Sequence, residues 1–194
     1  GVCPINMYYN HTGTEVVLGD VLTMPPGMVM SRWAETTENA MTDPEGRGSG
    51  LVSDDLYSLG ATVLFFAHGS NPAIALDGDK LIHEKLNTGS FEALSGKSRF
   101  VKGIEELLVG LLADDVQMRW VMSDVKAWID GNRQATKQKR SKRTASRPFP
   151  FAGEDHLNIQ TLAFSMVRDW SNATDIIGSN ALDRWVRRSL GDEK

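Results

Sequence analysis

The residues of this chain whose types invite chemistry are few and scattered. Cys3 is the single cysteine in 194 residues. Beside Pro4 it is a candidate nucleophile, but a reactive thiolate needs a neighbouring base or cation, and the sequence positions no paired histidine. A buried thiol is the reading that fits. His11, His68, His83 and His156 show no metal-ligand spacing and read as turn, cap or surface residues. Between 132 and 147 stand seven basic side chains and no acid: Arg133, Lys137, Lys139, Arg140, Lys142, Arg143 and Arg147. Such a run can contact the phosphates of nucleic acid or an anionic membrane. It lacks interleaved aromatics to stack on bases, so a solvated linker docking on the acidic remainder fits better, and nucleic acid is not the expected partner.

Composition sets the frame for these residues. With 41% hydrophobic and 24% charged residues and a net charge of −4, the chain is an ordinary globular protein of one domain, or one and a half. The average hides a polarised chain. Outside the basic run, 14 Lys and Arg face 25 Asp and Glu. A lone cysteine excludes an internal disulfide and fits a reducing, cytoplasmic compartment. Gly1-Val2-Cys3-Pro4 has neither the basic region nor the apolar run of a secretory signal. Gly1 in place of an initiator methionine fits a fragment of a longer parent.

The element that must position everything else is predicted over residues 53–69. Ser53 serves as N-cap, Asp54 and Asp55 suit the positive end of the helix dipole, and Gly69 suits the stop. Leu56, Leu59, Leu64, Phe65 and Phe66 point to different sides, which marks a buried central helix. Its apolar run, 59–67, is far short of the ~20 residues that span a bilayer. Before it, Met7-Tyr8-Tyr9 and Glu15-Val16-Val17-Leu18 flank the turn residues Asn10-His11-Thr12-Gly13 and predict a β-hairpin. Residues 21–50 have no periodicity. After the central helix come a short helix over 79–86, a stronger one over 103–112 and one capped by Ser123 and closed by Gly131. Beyond the linker, 156–170 and 180–190 read as amphipathic helices, the second capped by Asn180 with Asp183 three residues on. Two helices cannot bury Trp170 and Trp185 between themselves, so these stripes must pack on the first domain or on another chain. The expected organisation is a folded domain over 1–131, a basic linker over 132–147 and a helical extension over 148–194.

In this order the signals resemble the C-terminal lobe of the eukaryotic-type Ser/Thr protein kinase family, collinearly over about 1–131. Pro4-Ile5-Asn6 looks like the end of a catalytic loop, and Leu18-Gly19-Asp20 like the strand and Asp that open an activation segment. Asp43-Pro44-Glu45 resembles the Ala-Pro-Glu that closes it. Asp55-Leu56-Tyr57-Ser58-Leu59-Gly60 resembles the start of the buried F helix, and Asp115-Val116-Gln117-Met118-Arg119-Trp120 the turn before the last helix. The resemblance implies a mainly α fold: a kinase-like C-lobe with a short N-terminal hairpin, a buried central helix and a helical bundle, plus the C-terminal extension. It also implies that Asn6 and Asp20 hold the metal-ligand positions, that Glu45 pairs with Arg119, and that Asp55 bonds backbone amides of the catalytic loop. Thr36, Thr37 and Thr42 become candidates for regulatory phosphorylation, ordered through Arg32 or Arg47.

The chain departs from that pattern where chemistry is done. The catalytic Asp position falls on Gly1 and the neighbouring Lys position on Cys3. Glycine has no side chain to orient a hydroxyl. A glycine-rich loop, a strand lysine and its partner Glu are absent. The expectation is a bacterial-type pseudokinase with a helical tail: catalytically silent, a regulatory or scaffolding module, needing no cofactor itself and binding a protein partner or a second copy through the tail helices and the uncovered lobe face. The alternative is the C-terminal part of an active kinase whose parent supplies ATP and Mg²⁺ binding.

Overall fold

A computed structural model describes residues 2–19, 31–69, 77–132 and 144–190. The chain is mainly helical and divides into two compact units, Gly1–Lys139 and Arg140–Lys194.

In the first unit, the 3₁₀ turn Pro4–Asn6 leads into an antiparallel hairpin of β1 (Met7–Tyr9) and β2 (Val16–Leu18), with Tyr8 opposite Val17. The Asn10 side chain accepts from the Thr14 amide at 2.9 Å, so an Asx-type bond shapes the loop the sequence marks as a turn. A short α1 (Thr37–Ala40) and a 3₁₀ turn, Pro44–Gly46, follow. The central α2 (Val52–His68) is where periodicity puts it, and Gly69 ends it at φ +78°. Its start differs from expectation. Ser53 is not the cap; Leu51 is, because the Asp54 carboxylate reaches back to the Leu51 N–H at 3.0 Å. Nor is α2 buried throughout. Leu56, Tyr57, Ala61 and Leu64 are core, but the helix runs past its packing neighbours and Phe66 is exposed.

α3 (Gly78–Thr88), capped by the Asp77 side chain, α4 (Ser90–Ser95), α5 (Lys102–Leu111) and α6 (Met122–Ile129) complete the unit. α4 was not expected: six residues are too few for a periodic signal. α5 presses Leu107, Leu108, Leu111 and Leu112 inward as its pattern requires. It meets α2 at Gly60, where a Cβ would lie 2.7 Å from that of Leu111. α6 is capped like α2, by Asp124 on the Val121 N–H rather than by Ser123. Cys3 is buried in this core.

The second unit carries a hairpin that the sequence reading missed, β3 (Phe149–Phe151) with β4 (Glu154–His156), then α7 (Ile159–Arg168), α8 (Trp170–Gly178) and α9 (Ala181–Ser189). The hairpin changes the fate of one tryptophan. Trp185 is buried edge-on against Phe149, and its Nε1 donates to the Arg147 carbonyl at 2.7 Å. It needs no cover from elsewhere; Trp170 remains exposed. Residues 145–147, compositionally part of the basic run, therefore belong to this unit, while 133–143 lie outside the described residues. Asn180 precedes α9 with φ −73° and ψ 15°, close to helical, and its side chain makes no cap bond. Asp183 instead pairs with Arg187 at 2.9 Å. Among the described residues no helix is long and apolar enough to cross a membrane.

Candidate functional site

The polar centre of the first unit is a set of buried ionisable side chains that hold residues 31–47 against α2 and α3. Lys85 sits on the buried stripe of α3 with Leu81, Ile82 and Leu86 and has no exposed surface. Its Nζ donates to the carbonyls of Arg32 (2.9 Å), Trp33 (3.1 Å) and Glu35 (2.9 Å). Three acceptors match the three protons of an ammonium. Desolvation opposes them and is the larger effect, lowering the pKa to about 7; the nearby Glu35 carboxylate offsets part of the fall. Glu35 is itself buried between Arg32 and Arg47, each 3.0 Å away.

Tyr57 lies in the middle of the cluster. Its hydroxyl donates to Ser90 Oγ at 2.8 Å, and Ser90 donates to the Asp114 carboxylate. Burial pushes the phenol pKa far up, so the group is a permanent donor. The Lys85 ammonium and the Arg119 guanidinium each lie 5.2 Å from the ring centroid, an arrangement in which the ring quadrupole stabilises both cations. Ser58 adds a bond to the Ala34 carbonyl at 2.9 Å. Ser58 thus ties the turn before α1 to α2, as Lys85 ties it to α3, while Tyr57 ties α2 to α4 through Ser90.

Arg119 occupies the buried position that the resemblance implies, but its partner differs. The guanidinium donates to the carbonyls of Ala113, Ser53 and Asp114 and lies 3.7 Å from Glu38 and 3.8 Å from Asp54. Glu45 is exposed in the Pro44–Gly46 turn. The expected Glu45–Arg119 pair is not formed, because α1 brings Glu38 to the guanidinium first. Asp55 is exposed in the first turn of α2 and favours the helix dipole; no bond from it to the 2–6 backbone is seen. That segment is fixed instead by Thr62, whose hydroxyl donates to the Val2 carbonyl at 3.0 Å.

The threonine candidates separate. Thr36 is buried and caps α1 by accepting from the Asn39 amide at 3.2 Å, and Thr37 is buried beside it. Neither offers its hydroxyl to a modifying enzyme. Thr42 is exposed and donates to the Glu38 carbonyl at 2.8 Å. The arginines expected to receive a phosphate, Arg32 and Arg47, are paired with Glu35.

Asn6 is buried beneath the hairpin, and its carbonyl accepts from the Gly19 amide at 2.8 Å. Gly19 is needed there, since a Cβ would meet Tyr8 at 2.5 Å and Asn6 Oδ1 at 2.6 Å. Gly1 and Asp20 lie outside the described residues. Of the histidines, His11 is exposed at the hairpin loop, as a turn residue should be. His83 shares a hydrogen bond with Asn87 on α3, whereas His156 is buried at the end of β4 rather than superficial.

The sequence reading missed Lys85, Glu35, Ser90 and Asp114. Lys85 left a signal, because a lysine on the apolar stripe Leu81-Ile82-Leu86 is a polar group that must find partners inside. Ser90 and Asp114 left none, being joined only by the fold. Comparisons with family models, with curated proteins and with solved structures find no match.

Proposed function

We propose that this chain is a catalytically silent protein kinase-like C-lobe acting as a regulatory or scaffolding interaction module. The observation that carries the reading is buried Arg119, which joins the stretch around α1 to the start of α2 through Glu38, Ser53 and Asp54. A buried arginine clamping the end of the activation segment is what the collinear motifs imply, with Glu38 in the place expected of Glu45. The silence rests on Gly1 and Cys3, which stand where the family pattern has its catalytic Asp and neighbouring Lys. The buried network supports a rigid platform, since its groups are spent on each other and on backbone carbonyls.

A second reading, the C-terminal part of an active ATP-dependent kinase, is favoured by one contact. The Gly19 amide on the Asn6 carbonyl sets the residue before Asp20 against Asn6, as a pair of metal-ligand positions would require. Thermal shift with ATP and Mg²⁺ or Mn²⁺, on this chain and on the longer parent that the second reading requires, separates the two. A ligand at a hundredfold excess over Kd adds about 2.7 kcal/mol. No shift in either is expected for the silent module. A shift that Asp20→Ala abolishes would overturn it in favour of the second reading.

A further inference from the structure

α2 and α6 both begin on an apolar N-cap, Leu51 and Val121, although Ser, Thr, Asp and Asn are the residues that cap well. Asp54 and Asp124 do the capping from three residues on, at 3.0 and 2.9 Å. The N-cap side chains are thereby left to present apolar surface, and the residues after them do the same. Leu51 and Val52 are 68 and 69% exposed, Val121 and Met122 50 and 53%. Arg119 links the two helix starts: its guanidinium is 3.4 Å from the Ser53 carbonyl and its backbone is two residues from Val121. Val116, 43% exposed, lies on the same turn. The rim is acidic. Asp55 is exposed, Asp115 is half-buried, the Glu38 side chain is 56% exposed, and Asp54 and Asp124 stand at the helix starts, whereas Arg119 is buried beneath them. Lys126 lies one turn along α6. Two helix starts and the turn that carries Arg119 thus present five exposed apolar side chains, more than singly scattered surface residues would give.

We propose that this patch seats a segment of another protein in which aliphatic residues are interspersed with arginine or lysine. The inference rests on reading the chain as an interaction module and names the chemistry of its partner. Charge selects that occupant: cations meet the rim and steer the encounter, whereas a second copy would set the same acids face to face.

The test uses the whole chain and a short labelled peptide built of alternating leucine and arginine pairs, followed by fluorescence anisotropy at low and physiological salt. Binding is expected, weakened about tenfold or more by Leu51→Ser with Val121→Ser, since tenfold corresponds to less than the full burial of one aliphatic side chain. A peptide of equal charge with serine in place of leucine should bind correspondingly less. Asp55→Asn with Asp115→Asn leaves the apolar residues alone and should flatten the salt dependence; it keeps the proposal open to test even if the serine variant proves unfolded by circular dichroism. Equal binding of both peptides, or of wild type and variants, would mean adsorption by net charge and overturn the proposal. So would no binding, or a dimer in sedimentation velocity that Leu51→Ser disperses. No nucleotide enters this experiment, so its failure is distinct from failure of the kinase-like reading.

Discussion

Replacing Lys85 by Met tests the claim that one buried cation fastens the stretch before α1 to the helical core. Methionine keeps the stem that packs with Leu81 and Leu86 but removes the donors to the carbonyls of Arg32, Trp33 and Glu35. Each carbonyl left without its partner costs about 1–3 kcal/mol. Relief of a buried charge returns part of that, so a net loss of roughly 3–5 kcal/mol is expected, the range for breaking a buried ionic cluster from one side. Against a typical total of about 5–15 kcal/mol, the first unit would be severely weakened. Urea unfolding gives the size of the loss, and hydrogen exchange of the 31–40 amides gives its place. The pH dependence supplies an independent readout. The folded-state pKa, about 7, lies below the ordinary lysine value of 10.5. Between these values the unfolded chain binds more protons than the folded one, so stability rises with pH across that window. Wild type should show this rise in thermal melts, and Lys85→Met should lack it. A loss under about 1 kcal/mol, with unchanged exchange at 31–40 and unchanged pH slope, would refute the reasoning.

Three further outcomes follow from single positions. Gly110→Ala would place a Cβ 2.4 Å from the indole of Trp120; overpacking of this kind costs roughly 1–3 kcal/mol, to be read as a lowered urea midpoint. Ala152 holds φ +52° and Gly153 φ +79° in the β3–β4 turn, a conformation that Asn-Gly adopts more readily, so Ala152→Asn should raise the melting temperature of the second unit by an amount worth about 0.5–1 kcal/mol. Arg119→Met strips donors from the carbonyls of Ala113, Ser53 and Asp114 and should cost about 3–5 kcal/mol, whereas Glu45→Gln, at an exposed site, should change stability by less than about 0.5 kcal/mol; paired urea titrations compare them, and equal losses would restore the Glu45–Arg119 pair.

Much of the fold was legible because its signals are local. The β-prone runs around Asn10-His11-Thr12-Gly13, the apolar stripe of α5 and the Gly69 stop depend on neighbours in sequence, and each element formed where it was predicted. The misplaced caps share a cause. A serine at the start of a helical pattern looks like a cap, yet at both α2 and α6 an aspartate three residues past the true cap does the work, and only backbone geometry distinguishes the two. The β3–β4 hairpin escaped because three-residue strands show no period, and with it went the fate of Trp185.

The candidate site divides along the same line. The sequence by itself determined that Arg119 falls in the turn ahead of the last helix of the first unit, that Asn6 precedes a hairpin, that Glu45 sits in a proline turn, and that Lys85 lies among leucines. It could not determine partners. Arg119 meets Glu38 rather than Glu45, Lys85 meets three carbonyls some fifty residues away, and Tyr57 reaches Asp114 through Ser90. A side chain's backbone conformation follows from residues within a few positions of it. Its ion pairs follow from which distant segments arrive within about 4 Å, where charges interact strongly in a low dielectric, and only the packed tertiary structure decides that.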